Sequence, residues 1–284
     1  MRRFISMLAH EIASARLRRA PILLLVLCMV MRPALAAVEP VTVPTPPPPA
    51  DSDAAGNDSD PTKPVVFSPR YEYFNLRNDV SIGNLILRSD RPFSRILPDG
   101  RKLPVAILRF DLTFVTAQLP GETTTGRGDF YAQTIFLPYL SRKFALAIGP
   151  AISIPTATQD VLGTGKWTAA PLIAPIWFFA RKMGFVFVKV QDYSSFAGDE
   201  SRPDIHAVTV TPTILRRLGH GWWMVGDSES RTDFKTDLTS FKSGLLVGHM
   251  FNRGFGGWIK PEFPWGEHRQ GDWILKAGVV WVEK

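Results

Sequence analysis

The alternation of large and small side chains between Phe144 and Ile154 sets the reading of the whole chain. In Phe144-Ala-Leu146-Ala-Ile148-Gly-Pro150-Ala-Ile152-Ser-Ile154, bulky residues hold the even positions and Ala, Gly or Ser the odd ones. A period of two belongs to a β-strand, whose successive side chains point to opposite faces. One face is then a continuous apolar stripe and the other is nearly bare, whereas a half-exposed soluble sheet alternates apolar with solvated polar positions. Small residues on the second face suit a crowded barrel interior. After a loop at 155–165, Lys166 to Phe179 is a second apolar strand, ending in Trp177, Phe178 and Phe179. A strand of about ten residues with an apolar outer face and an aromatic edge is the repeating unit of an outer-membrane barrel.

The same period recurs from Val65 to the C-terminus, with no heptad, amphipathic helix or long apolar run. It predicts strands at 66–76, 81–96, 103–116, 128–140, 143–155, 166–180, 183–195, 205–217, 221–232, 239–252, 255–265 and 272–282. Leu108, Phe110, Leu112 and Phe114 alternate with Arg109, Asp111 and Thr113, and Val208, Val210, Pro212 and Ile214 with Thr209, Thr211 and Thr213. Trp273, Leu275 and Trp281 likewise alternate with Ile274, Lys276 and Val280. Charges between large apolar residues argue against a soluble sandwich. Arg109, Asp111, Lys242 and Lys276 are therefore candidate lumen-lining residues that set selectivity, or else members of a salt-bridged plug. Short links at 98–101, 141–142, 181–182, 218–220 and 253–254 alternate with longer ones near 117–127, 156–165, 196–204, 233–238 and 266–271. Outer-membrane barrels have short periplasmic turns and longer outer loops, so the chain starts and ends in the periplasm with an even count of about twelve strands, or about ten.

The N-terminus changes the charge balance. Six arginines and Glu11 surround and include an apolar run from Ala20 to Met31, followed by Ala34-Leu-Ala36. This reads as a signal peptide over 1–36, because the run is shorter than the roughly 20 residues a membrane span needs. Of the net charge of +7, +5 leaves with that segment, so nucleic acid is not an implied partner. Cys28, the single cysteine, leaves with it too, so the barrel has no disulfide. Residues 37–64, with Pro46 to Pro49 and Asp51, Asp53, Asp58 and Asp60, read as a disordered Pro-rich linker before a barrel domain at 65–284.

Candidate chemistry is sparse. Gly163-Thr-Gly165-Lys166 resembles part of a phosphate-binding loop, but Asp160 and Trp167 stand where that motif needs Gly and Ser or Thr, so it reads as a hairpin loop. His206, His220, His249 and His268 lack metal-ligand spacing. Ser243 and His249 share a strand face but lie about 20 Å apart at strand rise, too far for a barrel lipase. Asp199, Glu200, Asp204, Asp227, Glu229, Asp233 and Asp237 are expected in outer loops, where divalent ions could bridge them to lipopolysaccharide.

The stretch from Gly149 to Trp167, with Ser195-Phe-Ala-Gly-Asp199, Asp204 and Gly126-Arg-Gly-Asp129, resembles the outer-membrane family found beside phenol meta-pathway degradation genes and often labelled "transporter". The matching positions include Gly149, Pro150, Pro155, Thr156, Asp160, Gly163, Gly165, Lys166 and Trp167 in the first block and Phe196, Gly198 and Asp199 in the second. The resemblance spans 65–284 and implies an outer-membrane barrel for uptake of small, often aromatic or hydrophobic, compounds. It carries no catalytic motif. The chain departs from a terminal aromatic, placing Trp281 before Val-Glu-Lys284.

Together these readings give an all-β, closed antiparallel barrel in the outer membrane: a passive channel for small molecules, not an enzyme, without cofactor or metal. Its expected partners are outer-membrane lipid, lipopolysaccharide, a small-molecule substrate and the barrel-assembly machinery. The alternatives are a structural barrel without a conducting pore and an enzyme acting on lipid.

Overall fold

The computed structural model describes residues 65–96, 102–179 and 183–282. The proposed signal peptide, Cys28, the Pro-rich linker and the links at 98–101 and 181–182 lie outside the described residues. Twelve strands follow in chain order: β1 (Val65–Asn75), β2 (Ser81–Ile96), β3 (Lys102–Leu119) and β4, in two segments, Glu122–Arg127 and Phe130–Leu140. Next come β5 (Phe144–Gly149 and Ala151–Ile154), β6 (Lys166–Ala169 and Leu172–Phe178), β7 (Gly184–Gly198) and β8 (His206–Gly219). The last four are β9 (Trp222–Asp233), β10 (Leu238–Met250), β11 (Phe255–Trp265) and β12 (Trp273–Val282). Each pairs antiparallel with its neighbours, and β12 pairs with β1, Glu72 facing Lys276 across the seam. The sheet is closed and its two ends lie at one rim.

The breaks in β5 and β6 have a local cause. Pro150 and Pro171 have no N–H to give the ladder. Their carbonyls still accept, Pro150 from Thr134 N at 3.0 Å and Pro171 from Asp192 N at 3.1 Å, so the wall bulges without opening.

Two sequence expectations are corrected. The expected long loop at 117–127 is a turn at Pro120 and Gly121, with Gly121 at φ +84°, because β3 and β4 pair out to Leu119 and Glu122. Asp227 and Glu229 are not in an outer loop. They lie on β9, whose hydrogen bonding to β8 and β10 continues to Asp233.

Alternation sorts the side chains as it would in a membrane. Phe144, Leu146, Ile148, Ile152 and Ile154 face outward, while Ala145, Ala147, Gly149, Ala151 and Ser153 are buried inside. Outside, rings gather at both rims. At the terminal rim Phe67, Trp281, Phe255, Phe251, His249 and Trp222 follow one another with centroids 4.5–5.9 Å apart. At the loop rim Tyr73 meets Trp273, Phe241 meets Trp265 and His206 meets Phe234. Two aromatic girdles flanking an apolar band mark the two interfaces of a bilayer.

Candidate functional site: the barrel lumen

The lumen is layered, and its middle layer is charged. Arg88-Ser-Asp90 on β2 runs antiparallel to Arg109-Phe-Asp111 on β3, in a register that sets Arg88 opposite Asp111 and Asp90 opposite Arg109. Both pairs are bidentate. Arg88 donates to Asp111 at 2.8 and 2.6 Å, and Arg109 donates to Asp90 at 2.9 and 2.7 Å. Arg70 joins Glu72 at 2.6 Å and lies 3.7 Å from Asp111. Lys276 links Glu72 at 3.7 Å to Glu262 at 3.2 Å. Lys260 binds Glu262 and Asp227, at 2.6 and 2.8 Å, and Lys242 reaches Glu229 at 3.3 Å. These ion pairs engage six cations, Arg70, Arg88, Arg109, Lys242, Lys260 and Lys276, and six carboxylates, Glu72, Asp90, Asp111, Asp227, Glu229 and Glu262. Such pairs persist because each member would be costly to leave buried alone.

The facing wall is polar but uncharged except for Lys189. Thr209, Thr211 and Thr213 follow one another up β8, opposite Gln191, Lys189 and Phe187 of β7. Ser153 and Thr168 face each other on β5 and β6. All five hydroxyls are buried without a hydrogen-bond partner among the described residues, and Gln191 uses its amide N–H on Tyr131 and Ala170 but not its carbonyl. Buried hydroxyls of this kind are satisfied by water or by a polar solute.

Apolar layers bound this belt on both sides. Toward the terminal rim the interior is filled by side chains that include Phe185, Phe187, Leu215, Trp223, Val225 and Leu246. Toward the loop rim Phe74, Ile82, Val115, Ala117 and Ile274 pack with Leu162, which sits on a 3₁₀ turn, Asp160–Leu162, of the β5–β6 loop. That loop folds inward and is pinned by Asp129, which accepts from Thr164 N at 2.7 Å, Thr164 Oγ1 at 2.8 Å and Ala157 N at 3.3 Å. Gly163 must be glycine here, because a Cβ would overlap Ala157 and the Asp129 carboxylate. The neighbouring β7–β8 loop clamps it from outside: Arg202 donates to the carbonyls of Asp160 and Gly163, Asp199 N to Gly165 O at 3.0 Å, and Lys166 Nζ to Asp204 at 3.0 Å. Hydrogen bonds from Ser201 hold the Asp199 carboxyl below its ordinary value, and the hydrogen bond and charge of Lys166 do the same for Asp204.

The four charges named from the sequence thus sit in one lumen, and all four are paired: Arg109 with Asp90, Asp111 with Arg88, Lys242 with Glu229 and Lys276 with Glu262. The motif residues also converge. Gly149 and Pro150 form the β5 bulge, Pro155, Thr156, Asp160 and Gly163 build the inward loop, and Gly165, Lys166, Gly198 and Asp199 form its clamp. Trp167 lies against Phe196 on the outer wall, the ring centroids 6.5 Å apart and the planes tilted by 52°. Arg70, Glu72, Arg88, Asp90, Lys260 and Glu262 escaped notice in the sequence, although the repeated Arg-x-Asp on consecutive strands is a readable signal. Ser243 donates to Ser228 at 3.0 Å and accepts from Trp265, while His249 lies between the rings of Trp222 and Phe251.

A cavity of about 60 Å³ lies at the loop end, lined in part by Phe74, Tyr193, Thr209, Glu229, Arg231 and Lys242. Arg231 stands over the Tyr193 ring at 5.5 Å. No family model and no curated protein matches the chain. Among solved structures, the chain is similar to the COG4313 outer membrane channel from Pseudomonas putida F1, with TM-score 0.62, 12% identity, and 78% of this chain and 96% of that one covered. It is also similar to the NanC porin, with TM-score 0.53, 8% identity and coverage of 76% and 99%. At these identities the likeness is one of fold: the chain shares its barrel architecture with an outer-membrane channel and a porin.

Proposed function

We propose that this barrel is a passive outer-membrane pathway for small molecules. The observation that carries the reading is the wall of buried hydroxyls at Ser153, Thr168, Thr209, Thr211 and Thr213, which lack hydrogen-bond partners among the described residues, Thr209 also lining the cavity. A barrel that served only as scaffold would gain nothing from leaving them unsatisfied. The charges of Arg109, Asp111, Lys242 and Lys276 are met within the wall, which favours a role in shaping the lumen over one in drawing ions through it. The converging loop motif supports membership in the phenol meta-pathway family and, with it, small aromatic or hydrophobic solutes. The reading includes export by a signal peptide at 1–36 and a linker at 37–64.

A structural barrel without a pore is the second reading, favoured by the apolar side chains that fill the terminal end. Proteoliposome swelling separates the two. Protein-dependent uptake of small uncharged solutes supports the pathway. Rates equal to empty liposomes, for the protein and for variants with large lumen side chains removed, leave the scaffold.

A further inference from the structure

We propose that the apolar layer at the terminal end of the lumen is a filter that passes small uncharged organic solutes and refuses ions, an inference that rests on the barrel being a passive pathway. The layer lies between the paired charges and the terminal rim, and Phe187, Leu215, Val225 and Leu246 bring no polar side-chain atom to it. An ion arriving there sheds its hydration and finds no counter-charge, so the layer acts as a hydrophobic constriction.

Two details fit the layer to organic solutes. Trp223 is 4% exposed, and its indole N–H has no hydrogen-bond partner among the described residues. It is a donor set in an apolar ring of side chains, ready for a solute with one acceptor oxygen. The second detail is how the wall makes room. Trp223 faces Gly248 across the β9–β10 ladder and Trp258 faces Gly278 across β11–β12, and a Cβ at either glycine would overlap the indole opposite. Each ring therefore lies flat against the wall, in space that any other residue would fill. Among the described residues this end is closed by side chains, whose rotamer motions are fast.

The full chain is refolded into lipid and compared in planar bilayers with potassium chloride and by proteoliposome swelling in glycerol, propanediol and potassium chloride. Wild type is expected to take up propanediol faster than glycerol and to leave potassium chloride at the level of empty liposomes. Replacing Phe187→Ser and Leu246→Ser together should raise the potassium chloride current by about tenfold or more, because the ion then meets polar groups in place of hydrocarbon. Gly248→Ala should abolish the propanediol uptake while preserving heat-modifiable gel migration. If the double variant fails to fold, Leu246→Ser alone tests the same point. Wild type carrying potassium chloride as well as the serine variant would overturn the filter and leave the passive pathway standing. Absence of flux for every probe, in wild type and in folded variants alike, would overturn both.

Discussion

Arg109 on β3 and Asp90 on β2 are direct cross-strand partners, and two hydrogen bonds of 2.9 and 2.7 Å join them inside the barrel. Truncating one leaves the other buried and unmatched. Arg109→Ala should lower stability by about 3–5 kcal/mol, while Arg109→Met combined with Asp90→Leu should recover most of that loss. Urea unfolding in lipid measures both. A double variant no better than Arg109→Ala would mean that the pair is not the unit that matters.

Ile148 tests the outside of the wall. It faces outward on β5, 38% exposed, between the two girdles. Ile148→Arg should cost about 2–4 kcal/mol if it meets the bilayer midplane, and Ile148→Leu almost nothing. Equal stability of the two would contradict the assignment of faces.

Topology can be read on intact cells. Gly163 is a poor site for a tag, since the loop is packed there against Asp129. Glu200 is exposed on the β7–β8 loop, and Gly219 leads into the tight β8–β9 turn at the terminal end. A tag after Glu200 should be labelled from outside and one after Gly219 should not. The reverse pattern would invert the barrel in the membrane.

Asp129 should control the inward loop. It accepts three hydrogen bonds from residues in that loop, and hydrogen bonds to a charged acceptor contribute about 1.5–3 kcal/mol each. Asp129→Ala should expose 156–165 to limited proteolysis while the strands keep their protection. Unchanged cleavage would show that Leu162 and the clamp from Arg202 hold the loop without Asp129.

The clamp between the two outer loops should loosen in acid. Lys166 holds the Asp204 carboxyl below its ordinary value of 3.8, by a hydrogen bond and then by its charge. A depressed carboxyl contributes stability that is complete above the ordinary value and is lost as pH falls through the lowered one. Hydrogen exchange at 199–205 should therefore quicken only below the ordinary carboxylate range. Asp204→Asn should make exchange fast at neutral pH and remove the change.

The barrel was legible in the sequence because its signal is local: strand period, girdle aromatics and turn residues all lie within a few positions of one another. Ala145 and Ala147 could be assigned inward from their own neighbours. Partners could not, since Arg88 meets Asp111 only once the β2–β3 register is fixed. The inward loop was hidden for a related reason, as Asp129 and Thr164 are 35 residues apart. Asp227 and Glu229 looked like loop residues because their outward neighbours Ser228 and Ser230 are also polar, so alternation of apolar with polar positions fails there. That part of β9 approaches the loop-end girdle, where an outward hydroxyl is no penalty.

Glu72 and Lys276 give the seam between β1 and β12 a further meaning. They are opposite each other in its register, with 3.7 Å between the carboxylate and the ammonium. Before the first and last strands meet, that contact does not exist. A slip of one residue would turn one of the two charges out toward hydrocarbon. Closure of the cylinder therefore joins the charges already paired along β1 to those of β12, and the meeting of the two strands carries its own electrostatic proofreading.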